Sequence, residues 1–273
     1  MGEASRFRSR RPARRTGMTD SPGPPASPLF PPGQRKRPAN LARSVTAELV
    51  ERIVRGVHPP GSVLPPEPVL VEDFGVSRTV IREAVKLLQE KGLVRVRQGS
   101  GTVVTSPTTW DMLDDLVLGA AITEADGVVV LDDLVVTRRV LEADMANVAA
   151  RVAGPETLEQ LGALVDEMDE LVGDQEAYGR HDRSFHDTIM LASGNRIARA
   201  VVRSLESQVA STARYVGRPE RALCVASNKG HRRIYERIAA HDPQGAAEAM
   251  FTHITEAWLV RRGGPGDPAR LQR

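Results

Sequence analysis

Four ionisable residues in the C-terminal half of the sequence occupy positions where a helical pattern places buried hydrocarbon. Asp182 and His186 are four residues apart in one predicted helix, so both side chains point to the same inward face. His231 and His253 each align with apolar residues at helical spacing in two later predicted helices. The pattern therefore predicts that one carboxylate and three imidazoles face a common core.

A divalent cation would satisfy all four of these groups. An unpaired buried carboxylate costs several kcal/mol, and a buried imidazole also needs a partner. Neutral imidazoles and a carboxylate suit zinc first, with nickel, iron or manganese as alternatives, and open coordination positions could accept a small carboxylate. A single histidine is more often a satisfied core or surface residue, so the metal hypothesis depends on the set of four.

A second group of residues could bind a polyanion. Arg78 and Arg82 are four residues apart and project from one side of a predicted helix whose other side is apolar. A guanidinium can engage guanine O6 and N7 or a phosphate, and the hydroxyls of Ser77 and Thr79 can donate to phosphate oxygens. The alternative is a solvated helix face that carries ordinary surface arginines.

Three predicted helices and a hairpin position these arginines. An apolar residue recurs every four positions over 41–57, a short helix covers 67–74, and a third helix runs from a cap at Ser77 to Gly92. Two β-rich runs joined by a glycine-rich turn follow within 93–105. This order predicts a winged helix-turn-helix, whose third helix enters the DNA major groove.

The remainder of the chain is predicted to be helical almost throughout. Residues 110–262 contain about seven helical segments of roughly 11 to 26 residues, and no strand signal of comparable strength. The predicted breaks are Gly127, Gly154-Pro155, Gly173, Gly194-Asn195, Gly217 to Pro219 and Asp242-Pro243. The fold class is therefore mainly α: an N-terminal winged helix-turn-helix and a C-terminal antiparallel α-helical bundle.

Charge is unevenly distributed along the chain. Residues 1–38 hold nine basic and two acidic residues, residues 39–105 hold nine and seven, and residues 106–273 hold nineteen and twenty-six. A basic front is expected to meet nucleic acid, although a solvated tail would show the same bias. Residues 1–38 also contain eight of the nineteen prolines, which predicts a disordered extension. Met18 within it leaves open whether translation starts there or at Met1.

Several classes of protein are excluded. The single cysteine, Cys224, can form neither an internal disulfide nor a CxxC metal site. No apolar run is long enough to span a membrane, and the N-terminal arginine pairs are not followed by the apolar segment of an export signal. We therefore expect a cytoplasmic protein with no membrane partner.

The N-terminal motifs resemble the DNA-binding domain of the GntR family of bacterial transcription regulators. They are Leu64-Pro65-Pro66-Glu67, the run from Phe74 to Ala84, Gly92-Leu93-Val94 and the run from Gln98 to Thr102. The resemblance implies that Ser77, Arg78, Thr79 and Arg82 contact the operator and that Gln98 and Gly99 form the wing tip. Family members commonly carry an arginine after the glutamate of the first motif, where this sequence has Pro68. That difference predicts fewer base contacts or a divergent operator.

The C-terminal half is similar to the FCD effector domain of the FadR subfamily over about residues 126–258. The matching motifs are the run from Arg138 to Glu142, the run from Asp182 to His186, Gly194-Asn195, and His231 followed by His253. The resemblance implies that Asp182, His186, His231 and His253 are metal ligands. It also implies that Arg138 pairs with an effector carboxylate, although a salt bridge with Glu142 is an equal alternative. Asn195 could contact the effector or cap a helix.

These observations predict a protein with one DNA-binding domain and one FCD effector domain. The predicted parts are a disordered extension (1–38), the winged helix (39–106), the effector domain (107–262) and a flexible tail (263–273). The expected function is a metabolite-responsive repressor, a homodimer that binds double-stranded operator DNA and a small carboxylate effector. One alternative is a metal-dependent enzyme with a DNA-binding appendage, although the sequence has no H-E-x-x-H, G-x-S-x-G or P-loop pattern and no obvious paired general base. Another is a metal that acts only as a structural clamp.

Overall fold

The structure, a computed structural model, describes residues 38–124, 126–209 and 221–262. It is mainly helical and contains one β-hairpin in the described residues, as the sequence predicts. The elements are α1 (Pro38–Val54), α2 (Glu67–Phe74), α3 (Arg78–Glu90), β1 (Val94–Arg97), β2 (Gly101–Val104), α4 (Asp115–Thr123), α5 (Gly127–Val152), α6 (Pro155–Glu170), α7 (Gln175–Ala192), α8 (Arg196–Val209), α9 (Arg221–Ala239) and α10 (Pro243–Arg261).

The core of the N-terminal unit is built on the apolar stripe of α1. Val45, Leu49 and Ile53 are buried as the four-residue spacing predicts. The predicted end of this helix was wrong, because α1 stops at Val54 and Val57 is 63% exposed. Gly56 follows with a φ of 75°, a left-handed conformation that glycine adopts without steric cost and that terminates the helix.

Local sequence signals set the ends of the next two helices. Gly75 has a φ of 62° and closes α2. The Ser77 hydroxyl caps α3 by accepting a hydrogen bond of 3.4 Å from the backbone N–H of Val80. The inner face of α3 is buried through Val80, Ile81, Ala84 and Leu88, while Val85 is partly buried. The opposite face of the helix is therefore held toward solvent.

The hairpin after α3 has the predicted arrangement. Strands β1 and β2 are antiparallel, and Val94 pairs with Val104 at the end of the ladder farthest from the turn. Both valines are buried, as is Val103, whereas the residues of β1 after Val94 are exposed. The turn therefore projects away from the core as a wing.

A short strap ties the end of α3 to the helical domain. The backbone N–H of Asp111 donates to the Lys91 carbonyl at 2.9 Å, and the Lys91 ammonium forms an ion pair with Asp114. Asp114 also caps α4 by accepting hydrogen bonds from the first backbone N–H groups of that helix. The C-terminal end of α3 and the start of α4 are thus joined through adjacent residues.

Helix α4 belongs to both cores. Val117 is fully buried in the core of the winged helix, whereas Leu118 and Ile122 are buried in the core of the helical bundle. Because all three are within six residues of one helix, a movement of α4 must change packing in both cores.

Helices α5 to α10 form the predicted bundle around an apolar core, in which α5 packs along α10 and α9 packs against both. The predicted breaks at 127, 154–155, 173, 194–195 and 242–243 fall between helices or at helix starts. The break at 217–219 lies outside the described residues, as do residues 1–37 of the predicted extension and the predicted tail at 263–273. Pro38 already begins α1. No helix in the described part is long and apolar enough to cross a membrane.

Candidate metal centre and nucleic-acid interface

The predicted DNA-contacting residues lie on one exposed surface of the winged helix. Ser77, Arg78, Thr79 and Arg82 are all exposed at the start and outer face of α3. Gln98 and Gly99 are exposed in the turn between β1 and β2. The burial of the inner face of α3 leaves these donors free to meet a duplex.

One of these arginines has a partner that spacing alone did not reveal. Arg82 Nε donates to Glu67 at 3.0 Å, and its side chain is 68% exposed. Exposed ion pairs contribute little stability, so DNA phosphate can replace the carboxylate at small cost. Pro68 is next to Glu67, exposed in the first turn of α2, where its missing N–H breaks no helical hydrogen bond.

The structure brings the four predicted metal ligands together. Helix α7 supplies Asp182 and His186, α9 supplies His231, and α10 supplies His253. One ligand atom from each lies within 4.8 Å of the others, and the three imidazoles are buried. Asp182 is partly open to solvent, with 27% of its side chain exposed. These donors match the type and number that a divalent transition metal uses in proteins.

Two buried hydrogen-bonding chains orient the imidazoles. The Nδ1–H of His186 donates to Glu142 at 2.6 Å, which turns Nε2 toward the cluster. Asn228 uses its amide N–H groups on the Val165 carbonyl and Asp169, at 3.0 and 2.6 Å, so its oxygen faces His231 Nδ1 at 3.3 Å. The His231 Nε2 atom therefore keeps its lone pair.

That nitrogen supplies a test of whether a cation fits the site. His231 Nε2 is fully buried and makes no well-formed hydrogen bond, although Asp182 Oδ1 is 3.2 Å away. The His231 and His253 rings are also packed at a centroid distance of 4.2 Å. A cation would turn an unsatisfied buried acceptor and a crowded set of imidazoles into ligands, so the residues fit the group.

At three of the four residues the environment favours the protonation state that a metal ligand needs, whereas at His186 the Glu142 carboxylate outweighs burial and raises the pKa of the imidazole. Burial, and then the neighbouring imidazoles, lower the pKa of His253 well below its usual range. Burial also lowers the pKa of His231 despite the adjacent Asp182 carboxylate. Burial would raise the pKa of Asp182, but the neighbouring His231, His186 and Arg261 side chains together outweigh that effect and lower it. Two neutral imidazoles and one carboxylate are therefore present at neutral pH.

Arg138 is held by carboxylates of the protein itself. Its Nε donates to Glu142 at 2.8 Å, and its Nη2 lies 2.7 Å from Glu206 on α8. The salt bridge expected as one alternative is thus present, and Arg138 also lines the cavity beside Asp182 and His186. Glu142 contacts both Arg138 and His186. The i, i+4 spacing predicted its contact with Arg138 but not its contact with His186.

Asn195 lies at the start of α8, on the surface. Its side-chain oxygen accepts a hydrogen bond of 3.0 Å from the backbone N–H of Ala198, so it acts as a helix cap. It does not line the cavity at the histidine cluster. Sequence reasoning did not identify Glu206, Asn228, Ser227 or Arg261 near this cluster, since none of them carries a distinctive spacing relative to the ligands.

Comparisons with known proteins match both halves of the chain. Residues 41–104 match the model of bacterial regulatory proteins of the gntR family, and residues 133–256 match the FCD domain. The HTH-type transcriptional regulator YieP of Escherichia coli is 37% identical over 158 residues, 57% of this chain and 69% of that protein. The galactonate operon transcriptional repressor of E. coli is 25% identical over 218 residues, 80% of this chain and 95% of that protein.

A solved structure shows the same fold. It is that of Lar from Listeria monocytogenes, which is 22% identical to this chain with a TM-score of 0.54, and the match covers 84% of this chain and 98% of that one. At this identity the likeness concerns the fold alone.

Proposed function

The chain belongs to the gntR family of bacterial regulatory proteins, in a FadR-like subfamily with an FCD domain, and we propose that it is a metabolite-responsive repressor. In this proposal it binds operator DNA as a homodimer and binds a small organic acid at a metal site in the helical domain. Membership in a family of transcription regulators also removes the alternative of a metal-dependent enzyme.

The observation that carries the effector half of the proposal is the convergence of Asp182, His186, His231 and His253 from three helices. A bound divalent cation would supply a fixed positive charge and open coordination positions for ligand oxygens. The residues Glu142 and Asn228 fix the orientation of two imidazoles, so the ligand set is organised before an effector arrives. One relative is named as the repressor of a galactonate operon, and galactonate is a sugar acid, which agrees with an organic-acid effector for this chain.

The DNA half of the proposal assigns a role to each exposed donor. Arg78 and Arg82 read base edges or grip phosphates from the outer face of α3, and Ser77 and Thr79 donate to the phosphates at its start. Gln98 and Gly99 place the wing against the neighbouring backbone or minor groove. Two copies of this unit on a pseudo-palindrome would place their recognition helices in successive major grooves.

Helix α4 is the element through which we propose that effector and operator are coupled. Its Val117 packs in the winged helix, and its Leu118 and Ile122 pack in the bundle. An effector that favours one packing of the bundle would shift α4, and the two DNA-binding units of a dimer would change their separation. In this proposal, effector binding weakens operator binding and so relieves repression.

The DNA half can be tested by gel shift on the intergenic DNA upstream of the gene. Arg78→Ala/Arg82→Ala should abolish specific binding and reduce the salt dependence of the remaining affinity. Arg180→Ala is the matched control, since Arg180 is an exposed arginine of the helical domain that pairs with Glu176. Normal operator binding by the double variant would refute the assigned recognition surface.

The effector half can be tested on protein purified without chelator. We expect about one bound divalent ion per chain, and we expect an added organic acid to release operator DNA only when the metal is present. If chelation lowers the melting temperature but leaves acid binding unchanged, the metal is a structural clamp and this part of the proposal fails.

A further inference from the structure

Two cavities meet at one arginine of the last helix. The inner cavity adjoins Asp182, His186 and His253, and a larger groove of about 400 Å³ runs between α9 and α10. Both cavities are lined by Ser227 and Arg261. The inner cavity has a volume of about 30 Å³, room for about two water-sized groups. An organic acid with its head group in the inner cavity must therefore extend past Arg261 into the groove.

The charge of the other arginine in the cavity is already balanced. Arg138 contacts the carboxylates of Glu142 and Glu206 at 2.8 and 2.7 Å, and only 11% of its side chain is exposed. An incoming carboxylate at Arg138 would meet two resident anions, and it would have to compete with both for the same guanidinium. Arg138 is thus better suited to hold Glu142 against His186 than to bind an effector.

Arg261 differs from Arg138 in having no such partner. Within the described part of the chain, its side chain forms no ion pair and no hydrogen bond, although it lies on the cavity wall. Its neighbour Arg262 is instead committed to the buried carboxylate of Asp132. The charge of Arg261 helps to lower the pKa of Asp182 without forming an ion pair with it, so the half-buried guanidinium keeps its donors for an oxyanion, which it can bind in a bidentate manner.

Ser227 gives an independent indication at the same place. Its hydroxyl oxygen is buried and lines both cavities, and among the described residues it forms no well-formed hydrogen bond, although the Tyr178 hydroxyl is nearby. Buried polar groups are nearly always paired in native proteins, so an unpaired hydroxyl on a cavity wall points to a ligand atom. A carboxylate between the two residues would accept hydrogen bonds from both.

We propose that Arg261, together with Ser227, binds the carboxylate of the effector, and that Arg138 is a positioning residue for Glu142 and His186. This inference rests on the proposed function, because it assigns the specificity of the same site. The expected ligand is an acid whose ionised carboxylate lies against Arg261 and Ser227, outside the coordination sphere of the cation. The corresponding amide, which has the same shape without the charge, should be rejected.

The test compares acids with their amides on zinc-loaded protein. Isothermal titration with succinate, L-lactate and D-galactonate, and with the amide of each, gives the preference of the wild type for carboxylate. Arg261→Gln should weaken acid binding at least about tenfold and abolish the preference over the amide. Ser227→Ala should have a smaller effect in the same direction. Arg203→Gln, an exposed arginine on α8, is the control and should bind as the wild type does.

The outcomes separate the inference from the function on which it depends. If none of the acids binds the zinc-loaded wild type, the proposed effector site fails and the role of Arg261 fails with it. If an acid binds the wild type and Arg261→Gln binds it equally well, only the role of Arg261 is overturned. Two other results would also overturn the role of Arg261. One is that Arg138→Gln loses the preference for acid over amide while its zinc affinity is unchanged. The other is that Arg261→Gln binds zinc more weakly but still prefers the acid over the amide.

Discussion

Gly230 offers a direct test of how closely the histidine cluster is packed. It lies in the interior of α9, where glycine costs about 1 kcal/mol relative to alanine. The structure explains why a glycine stands there: a Cβ atom at this position would be 2.4 Å from His253 Nδ1 and 3.2 Å from its Cγ. The imidazole of His253 therefore occupies the space that any side chain at residue 230 would need.

Gly230→Ala should consequently displace a metal ligand. A carbon and a nitrogen atom in ordinary contact are about 3.5 Å apart, so the His253 ring must retreat by roughly 1 Å. Metal–ligand distances tolerate deviations of only about 0.2 Å. We expect zinc affinity to fall at least about tenfold, which is the effect of disturbing the surroundings of a metal ligand.

Zinc affinity can be measured by competition with a chromophoric chelator, and the visible spectrum of the cobalt-substituted protein reports the geometry of the ligands. Gly179→Ala is the matched control. Gly179 lies in α7, which carries Asp182 and His186, and the nearest atom to its Cβ would be the flexible Arg183 Nη1 at 3.6 Å. This control should bind zinc normally. If Gly230→Ala has wild-type zinc affinity and an unchanged cobalt spectrum, the packing argument is wrong.

Three further predictions concern other parts of the molecule. Asp132→Ala should lower the free energy of unfolding by about 3–5 kcal/mol in urea denaturation, because it removes the carboxylate that pairs with the buried side chain of Arg262. The control Asp133→Ala, at an exposed neighbouring position, should change the free energy of unfolding by less than about 0.5 kcal/mol. Equal effects of the two variants would refute the structural role of the Asp132–Arg262 ion pair. Burial would raise the pKa of Glu142, but the adjacent guanidinium and imidazole outweigh it and hold the pKa at about 2. The ionised Glu142 therefore stabilises the fold at pH values above its ordinary pKa of 4.5, and this stabilisation is lost as the pH falls toward 2. The difference in free energy of unfolding between metal-free wild type and Glu142→Gln should shrink over that pH range. A difference that stays constant with pH would contradict this prediction. Pro68→Arg should tighten operator binding in gel shifts and steepen its salt dependence, because it adds a phosphate or base contact at the start of α2; unchanged affinity would count against the idea that Pro68 costs this protein a DNA contact.

The sequence was sufficient wherever a signal is local to one element. The Ser77 cap, the glycine at 75 and the alternation around the turn at 98–101 set the limits of α3 and the wing, because capping and turn formation depend on residues a few positions apart. The same reasoning placed Asp182 and His186 on one inward face of α7, since an interval of four residues is about one helical turn. The prediction that the first helix extends to Val57 was wrong, because Gly56 ends the helix even though the apolar spacing continues to Val57.

The tertiary structure decided which faces meet. The contacts of Glu142 with His186, of Arg138 with Glu206 and of Asn228 with Asp169 join residues 44 or more positions apart. Helical periodicity gives the direction of a side chain relative to its own axis but contains no information on which other helix lies opposite. For that reason the sequence could indicate four inward ligands. Only the packed bundle shows that Arg138 is paired with carboxylates, that Arg261 forms no ion pair with the described residues, and that α4 contributes to both cores.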